Sequence, residues 1–134
     1  MNELTQVTRD FLNEKHFAAL ATINKDGTPQ QTVVWYELQG DRIMMNTAVG
    51  RLKERNLKRD PRVSVCIVDG YKYVTIRGRV ELNYDPAHAL ADITALAVRY
   101  HGKDEGEEQG RSIYGKQKRV TIYLSIEDVD AFGL

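Results

Sequence analysis

Basic side chains are concentrated between residues 51 and 62, where six basic residues stand with only two acidic ones. Because the formal net charge of the chain is zero, the rest of the chain is acidic by four charges. A compact basic cluster suits a small anionic ligand such as a phosphate. A nucleic-acid binder would carry a wider positive field, and the neutral net charge does not call for nucleic acid or an anionic membrane.

The basic cluster is predicted to form a short helix. It follows the apolar run Ile43–Met45 and precedes the apolar run Val63–Val68, and both runs have the character of strands. We expect Thr47 to cap the helix and Pro61 to prevent its continuation. The start of a helix exposes unpaired N–H groups and the positive end of the helix dipole, which together attract a phosphate.

Lys53 lies on a different face of this helix from the other basic residues. At about 100° per residue it lies roughly 200° round the axis from Arg51, and it shares a face with Asn56 and Leu57. A lysine beside a buried leucine needs an anion or a channel to solvent, because an unpaired buried charge is costly. Two interpretations stay open: an anion-binding lysine, or a lysine that reaches solvent along a solvated helix face. The residues of the outward basic stripe are Arg51, Arg55, Lys58 and Arg62.

Most of the chain is predicted to form antiparallel strands joined by short turns, of which Asp26-Gly27 carries a hairpin signal. Gly78 lies inside one strand and indicates a bulge or bend. The short hairpins favour an antiparallel barrel over a doubly wound sheet. The predicted strands are Phe17–Asn24, Pro29–Leu38, Arg42–Asn46, Val63–Val68, Tyr71–Asn83 and Arg119–Ile126.

Two longer helices are predicted to flank the strands. Apolar residues recur at helical spacing in Leu4–Lys15, with Val7 on the apolar face, and Asp85-Pro86 opens a second helix that Gly102 ends. The charged, glycine-rich segment Lys103–Gly115 is predicted to be a mobile loop. Residues 1–134 are long enough for one domain with its own core.

Several classes of site are excluded by the residues present. Cys66 is the only cysteine, so no disulfide forms within the chain, and its apolar strand indicates a core residue. His16, His88 and His101 are too scattered to predict a metal site. The sequence has no nucleophile elbow, phosphate-binding loop or dinucleotide fingerprint. We see no signal-peptide pattern or membrane-spanning run and expect a cytoplasmic protein.

Aromatic residues on the predicted strands leave their roles open. Trp35 and Tyr36 are adjacent and therefore face opposite ways, so one of them is expected to line a ligand surface unless both pack in the core. Tyr71 and Tyr73 share a strand face with Thr75. That face suits a dimer seam, the wall of a flat ring system, or an outer face in contact with solvent.

The order of elements and three segments resemble the split-barrel flavin and deazaflavin oxidoreductases, the superfamily of pyridoxamine-phosphate oxidase. The segments are Phe17–Gln30, Gly50–Val63 and Tyr73–Gly78, and the resemblance runs from about Phe11 to the C-terminus. The middle segment is the most specific, because its Arg-x-Lys-x-x-Asn-Leu…Asp-Pro spacing is a hallmark of the deazaflavin-using branch.

The resemblance implies a six-stranded antiparallel split β-barrel with flanking helices, paired as a homodimer with the cofactor at the subunit interface. It favours coenzyme F420, with flavin mononucleotide (FMN) as the alternative, and hydride transfer between the reduced deazaflavin and a conjugated organic substrate. Arg51 and Lys53 match positions that hold the cofactor phosphate, and Tyr71–Tyr73 matches a wall given by the second subunit. The cofactor-binding positions that the resemblance implies are Gln31, Val33, Trp35, Asn46, Thr47, Arg51, Leu52, Lys53, Glu54, Arg55, Asn56, Tyr71, Lys72 and Tyr73.

The sequence also departs from the oxidase itself. The FMN oxidases carry an arginine near the position of Gln31 and a glutamine at the position of Tyr73, and their C-terminal substrate motif has no counterpart in Lys118–Leu134. Oxidation of pyridoxamine phosphate is therefore not expected. No side chain is nominated as a general acid or base, so a non-catalytic cofactor carrier is a second hypothesis. Nucleic-acid binding through the basic stripe is a third.

Overall fold

The structure is a computed structural model that describes residues 3–134. Seven strands and four α-helices are assigned within this range. In chain order the elements are α1 (Gln6–Asn13), β1 (Ala18–Ile23), β2 (Pro29–Val34), β3 (Glu37–Gln39), β4 (Arg42–Ala48), α2 (Leu52–Arg59), β5 (Arg62–Asp69), β6 (Lys72–Asn83), α3 (Pro86–His101), α4 (Lys103–Ser112) and β7 (Arg119–Phe132), with a 3-10 turn at Tyr114–Lys116 before β7.

All seven strands form one antiparallel sheet in the order β2-β1-β5-β6-β7-β4-β3. The two edge strands, β2 and β3, are consecutive in the chain, and only Trp35 and Tyr36 separate them. Three chain steps span at most about 11 Å, so the two edges of the sheet lie close together at this point. The sheet therefore curls into a barrel with an open seam, which confirms the predicted split β-barrel.

The strand count differs from the prediction because Pro29–Leu38 is not one strand. It breaks at Trp35 and Tyr36, where the backbone leaves the first edge and joins the other. Tyr36 is fully buried, and its hydroxyl donates to the carbonyl oxygen of Leu12 at 2.8 Å. Its own carbonyl oxygen accepts a hydrogen bond from Nε of Arg99 at 3.0 Å. Its backbone N–H donates to the hydroxyl of Tyr100 at 3.3 Å, so residues of α3 replace the backbone partners that a continuous strand would have supplied.

The inward-facing residues of β6 and β7 alternate as predicted, although β7 continues past Ile126 to Phe132. The register of the two strands shifts between Arg77 and Gly78, which confirms the predicted bulge. A Cβ atom at Gly78 would lie 1.9 Å from the carbonyl oxygen of Ser125, so only glycine fits there. The buried residues of these two strands in the barrel core are Val74, Ile76, Val80, Val120, Ile122, Leu124 and Val129.

The prediction of a mobile loop at Lys103–Gly115 is wrong, because most of this segment forms α4. The glycines that suggested a loop are the residues that pack this helix against α3. A Cβ atom at Gly106 would lie 2.4 Å from the backbone nitrogen of Val98, and one at Gly110 would lie 2.5 Å from Oγ1 of Thr94. The missing side chains therefore permit a close helix–helix contact. None of the helices in residues 3–134 is both long and apolar enough to cross a membrane.

Two further expectations are corrected by burial. Val7, predicted on the apolar face of α1, is 57% exposed, and Thr8 is buried instead. Cys66, predicted as a core residue, is only half-buried, because Val65 and Ile67 occupy the core face of β5 and Cys66 alternates with them.

Candidate functional site

A cavity of about 270 Å³ lies where the barrel seam meets α3 and the start of α2. We call it the cationic cavity, because Arg51, Lys53 and Arg119 contribute to its wall and no aspartate or glutamate does. The wall therefore carries an excess of positive charge in a partly closed space. The lining residues are Phe17, Val33, Val34, Trp35, Asn46, Arg51, Lys53, Ile93, Leu96, Tyr114 and Arg119.

Lys53 is only 8% exposed, and its side chain lines this cavity. Within residues 3–134 its ammonium group has no ion pair and no hydrogen bond to a protein acceptor. Burial lowers the pKa of Lys53, and the positive charges of Arg51 and Arg119 lower that pKa further. A charged group in these surroundings costs free energy unless an anion joins it. The predicted face shared with Asn56 and Leu57 is confirmed, since both are buried as well.

Arg119 brings a second buried cation to the same cavity, and it is also 8% exposed. Its Nε donates to Oδ1 of Asn46 at 3.0 Å, and Nη1 donates to Oε1 of Gln117 at 2.8 Å. The guanidinium carbon lies 5.0 Å from the ring centre of Tyr114. Burial, followed by the charge of Arg51, lowers the pKa of Arg119 to about 10. Arg119 is therefore still a cation at neutral pH. Within residues 3–134 its hydrogen-bond partners are all uncharged.

The orientation of Asn46 is determined by its neighbours. Its amide nitrogen donates to the carbonyl oxygen of Ala89 at 3.0 Å and to Oγ1 of Thr121 at 3.3 Å. The Thr121 hydroxyl in turn donates to Oδ2 of Asp92 at 2.8 Å. Because both donors point to these acceptors, the amide oxygen is left to receive Arg119. Strand β4 and helix α3 together hold Arg119 in the cavity wall.

The turn before α2 places Arg51 and Lys53. Gly50 adopts φ of 98°, which favours glycine, and its N–H donates to Oε1 of Glu54 at 2.9 Å. Tyr84 donates to the other carboxylate oxygen at 2.5 Å. Burial raises the pKa of Glu54, but the hydrogen bonds from Tyr84 and Gly50 outweigh burial and lower that pKa overall. Glu54 therefore stabilises the turn before α2 through its hydrogen bond with Gly50, and it does not line the cavity.

The N-terminus of α2 differs from the prediction. Arg51, and not Thr47, occupies the capping position, and it makes no side-chain capping bond. Thr47 lies within β4 on the core face shared with Met45, and its buried hydroxyl has no hydrogen-bond partner in residues 3–134. The first backbone N–H groups of α2, those of Leu52 and Lys53, therefore lack an intrahelical acceptor and a cap.

The aromatic wall of the cavity is fixed by ring contacts. Trp35 stacks on Tyr100 with ring centres 5.2 Å apart, and its edge faces Tyr114 at 6.5 Å. Tyr100 also contacts Phe17 at 5.5 Å. Of the adjacent pair Trp35 and Tyr36, Trp35 lines the cavity and Tyr36 is the core residue.

The structure gathers part of the predicted set in one place. Val33, Trp35, Asn46, Arg51 and Lys53 line the cationic cavity. Three other residues line a separate depression between α2 and the β1–β2 turn, namely Leu52, Arg55 and Asn56. Four lie outside the cavity wall, namely Gln31, Tyr71, Lys72 and Tyr73, and Tyr71 is 94% exposed at the turn between β5 and β6. Thr47 and Glu54 also lie outside the cavity wall. The cofactor contacts of all fourteen predicted residues stay predictions.

Sequence reasoning missed the residues that come from distant segments, namely Phe17, Val34, Ile93, Leu96, Tyr114 and Arg119. Arg119 carried one usable signal. It begins an alternating strand whose inward residue is Val120, so its side chain faces the other side of the sheet, where α3 packs. Nothing in the sequence pairs it with Asn46, which is 73 positions away.

Comparisons with known proteins agree with this architecture. Residues 4–132 match the family model described as pyridoxamine 5'-phosphate oxidase. A conserved hypothetical protein of Mycobacterium tuberculosis is similar, with a TM-score of 0.81, 28% identity, and coverage of 96% of this chain and 84% of that one. A protein described as an F420 reductase has a TM-score of 0.76 and 26% identity, with coverage of 95% of this chain and 98% of that one.

A more distant structure extends the same comparison. A putative pyridoxamine 5'-phosphate oxidase of Lactobacillus delbrueckii has a TM-score of 0.68 and 17% identity, covering 97% of this chain and 95% of that one, and this likeness shows the fold alone. With the family model spanning nearly the whole chain, the protein belongs to the pyridoxamine 5'-phosphate oxidase family, within the FMN- and F420-binding split-barrel superfamily.

Proposed function

We propose that the protein is an oxidoreductase that binds coenzyme F420 and transfers a hydride between the reduced deazaflavin and a conjugated organic substrate. The observation that carries this proposal is the buried ammonium of Lys53, which lies in a cavity with two arginines and no carboxylate in its wall. Such an arrangement is stable only when an anion is bound or solvent reaches the charge.

The residues present fit the phosphate of a nucleotide-like cofactor. A phosphate group brings negative charge and strong acceptor oxygens, and charge-assisted hydrogen bonds to it are about twice as strong as neutral ones. Lys53, Arg51 and Arg119 would hold it, together with the free N–H groups at the start of α2. The flat face of Trp35 and the side chain of Val33 would pack against the ring system.

Two observations support F420 over FMN. The similar structure described as an F420 reductase is matched over nearly its whole length. Gln31 and Tyr73 also stand where the FMN oxidases carry an arginine and a glutamine. FMN is the alternative, because the matching family model is named for the oxidase. Titration of cofactor-free protein with both compounds tests the choice: tighter F420 binding supports it, and stoichiometric FMN binding with indifference to F420 would reverse it.

The part that this chain plays in the chemistry is positioning and exclusion of water. When bound, the deazaflavin supplies the hydride. Phe17, Val34, Ile93 and Leu96 give the cavity an apolar wall that keeps water from that side. No aspartate, glutamate or histidine lines the cavity, so no general acid is assigned. A non-catalytic carrier is the second candidate, and steady-state turnover of a quinone and enone panel separates it from an enzyme.

A homodimer is part of this proposal. Val33, Val68, Tyr71 and Phe132 are large apolar or aromatic side chains that are exposed on the single chain. Scattered exposed apolar residues are common, but this group includes the tyrosine that the resemblance places against a partner's cofactor. Sedimentation equilibrium at micromolar concentration should show a dimer. A monomer that binds the cofactor with full affinity would exclude the shared site.

A further inference from the structure

A second cavity, of about 440 Å³, lies between α2, the start of α3 and the segment that leads into β7. Its volume is within the range of small-molecule sites, which is about 300–1,000 Å³. Its wall is formed by Val49, Lys58, Tyr84, Pro86, Leu90, Tyr114, Gly115, Gln117, Lys118 and Arg119. It does not include Lys53 or Arg51, so its wall differs from that of the cationic cavity.

The second cavity combines apolar surface with positive charge. Two tyrosine rings, Tyr84 and Tyr114, and the aliphatic side chain of Leu90 supply flat and apolar surface. Lys58 and Lys118 add to the charge of Arg119, and no aspartate or glutamate lies in the wall. Lys58 is partly neutralised, because its ammonium lies 3.9 Å from a carboxylate oxygen of Glu54. Lys118 makes no such contact within residues 3–134.

The two cavities share a wall. Tyr114 and Arg119 line both of them, and the Arg119 guanidinium packs over the Tyr114 ring. Nε and Nη1 of Arg119 bind Asn46 and Gln117, whereas Nη2 has no protein acceptor in the described chain. An acceptor on a ligand would satisfy this remaining nitrogen.

We propose that the second cavity binds a small organic anion with a flat apolar body, of the class of aromatic carboxylates and sulfonates. Charge complementarity selects the anionic group, and the two tyrosine rings select a planar body. Of the three side chains proposed to hold the cofactor phosphate, only Arg119 also lines this wall, so binding to the cofactor-free protein does not depend on the identity of the cofactor.

Fluorescence titration of the cofactor-free full chain with anilinonaphthalene sulfonate tests the proposal, because this planar anion becomes bright in apolar sites. Its uncharged parent, phenylnaphthylamine, has the same rings without the sulfonate. It should bind about fivefold more weakly, because one ion pair between the sulfonate and a lysine contributes about 1 kcal/mol. Val49→Trp, which adds bulk at a partly exposed position of the wall, should weaken both probes.

Charge variants locate the probe. Lys118→Glu should weaken binding of the sulfonate by about fivefold or more, whereas Lys25→Glu, the same change on the β1–β2 turn, should stay within about twofold. Lys53→Ala should leave sulfonate affinity within about twofold. Calorimetric titration with the cofactor should show that Lys118→Glu leaves cofactor affinity within about twofold of wild type. A failure of the proposed anion site can therefore be distinguished from a failure of the proposed cofactor site.

Four results would overturn the proposal. They are no fluorescence enhancement, equal affinity for the charged and uncharged probes, equal effects of Lys118→Glu and Lys25→Glu, and loss of binding in Lys53→Ala but not in Lys118→Glu. The last result would mean that the probe occupies the cationic cavity.

Discussion

The amide oxygen of Asn46 accepts a hydrogen bond from Nε of Arg119 at 3.0 Å, in the wall of a cavity that Lys53 also lines. Both residues are buried, and they join neighbouring strands, β4 and β7. A neutral partner orients the guanidinium without cancelling its charge. The cavity therefore keeps the Arg119 cation close to the buried side chain of Lys53.

Arg119→Gln should weaken binding of a phosphate-bearing cofactor by roughly tenfold to 150-fold. A charge-assisted hydrogen bond is worth about 1.5–3 kcal/mol, and each 1.4 kcal/mol is about tenfold in affinity. Glutamine still offers a donor to Asn46, so the fold should persist. Calorimetric titration measures the change, with Lys118→Gln as the neighbouring control that lies outside the cationic cavity. If Arg119→Gln matches that control, Arg119 does not hold the phosphate.

Lys53→Met should raise the free energy of unfolding of the cofactor-free protein by about 1 kcal/mol. The buried ammonium lacks a protein partner, whereas a methionine of similar length fills the space without that desolvation cost. The midpoint of urea unfolding, at an unchanged slope, measures the effect. Lys58→Met on the exposed face should shift the midpoint little. A loss of stability in Lys53→Met would show that solvent or protein already satisfies the ammonium.

The stability advantage of Lys53→Met should shrink as pH rises. The pKa of Lys53 is lowered in the folded state from its ordinary value of 10.5, chiefly by burial. Between the lowered value and 10.5 the unfolded chain binds more protons at this residue, so wild-type stability rises with pH in that window. Other titrating groups are common to both proteins and cancel in the difference. Urea unfolding at about pH 7 and about pH 10 should show a smaller gap at the higher pH, and a constant gap would contradict the lowered pKa.

Gly106→Ala should destabilise the protein by about 1–3 kcal/mol, the usual cost of overpacking. The added Cβ atom would lie 2.4 Å from the backbone nitrogen of Val98, so α4 would have to move away from α3. In an exposed helix the same change would stabilise by up to about 1 kcal/mol, so the sign of the effect is diagnostic. Urea unfolding measures it, with Glu105→Ala on the exposed side of α4 as the control. Stabilisation by Gly106→Ala would mean that α4 does not pack closely.

Spacing of residues along the chain was enough to predict features that are set within one strand or one helix. The strand alternation of β6, the bulge at Gly78 and the burial of Lys53 beside Leu57 all follow from spacing along the chain. The break at Tyr36 could not be predicted in this way, because it depends on Arg99, which lies 63 positions further on. Helix α4 was missed because Gly106 favours a loop locally and a close helix contact in the fold.

In the candidate site, too, residues of one short segment could be predicted, and residues brought together by the fold could not. Arg51 and Lys53 could be selected from one short segment, because their helix is local. Arg119 and Tyr114 could not, because they reach the cavity only after β7 pairs with β4 and α3 packs over both strands. The predicted cap at Thr47 failed because β4 continues through that residue to Ala48 and places its side chain in the barrel core.

Lys53 is the residue that we propose to bind the phosphate of the cofactor. The most direct test of this proposal is calorimetric titration of coenzyme F420 into wild type, Lys53→Ala and Lys58→Ala at one fixed ionic strength. We expect a loss of affinity of roughly tenfold to 150-fold for Lys53→Ala, because it removes one charge-assisted contact worth about 1.5–3 kcal/mol. We expect a much smaller loss of affinity for Lys58→Ala, since that ammonium is largely exposed. Equal affinities of the two variants would show that Lys53 does not bind the phosphate, which would then lie elsewhere.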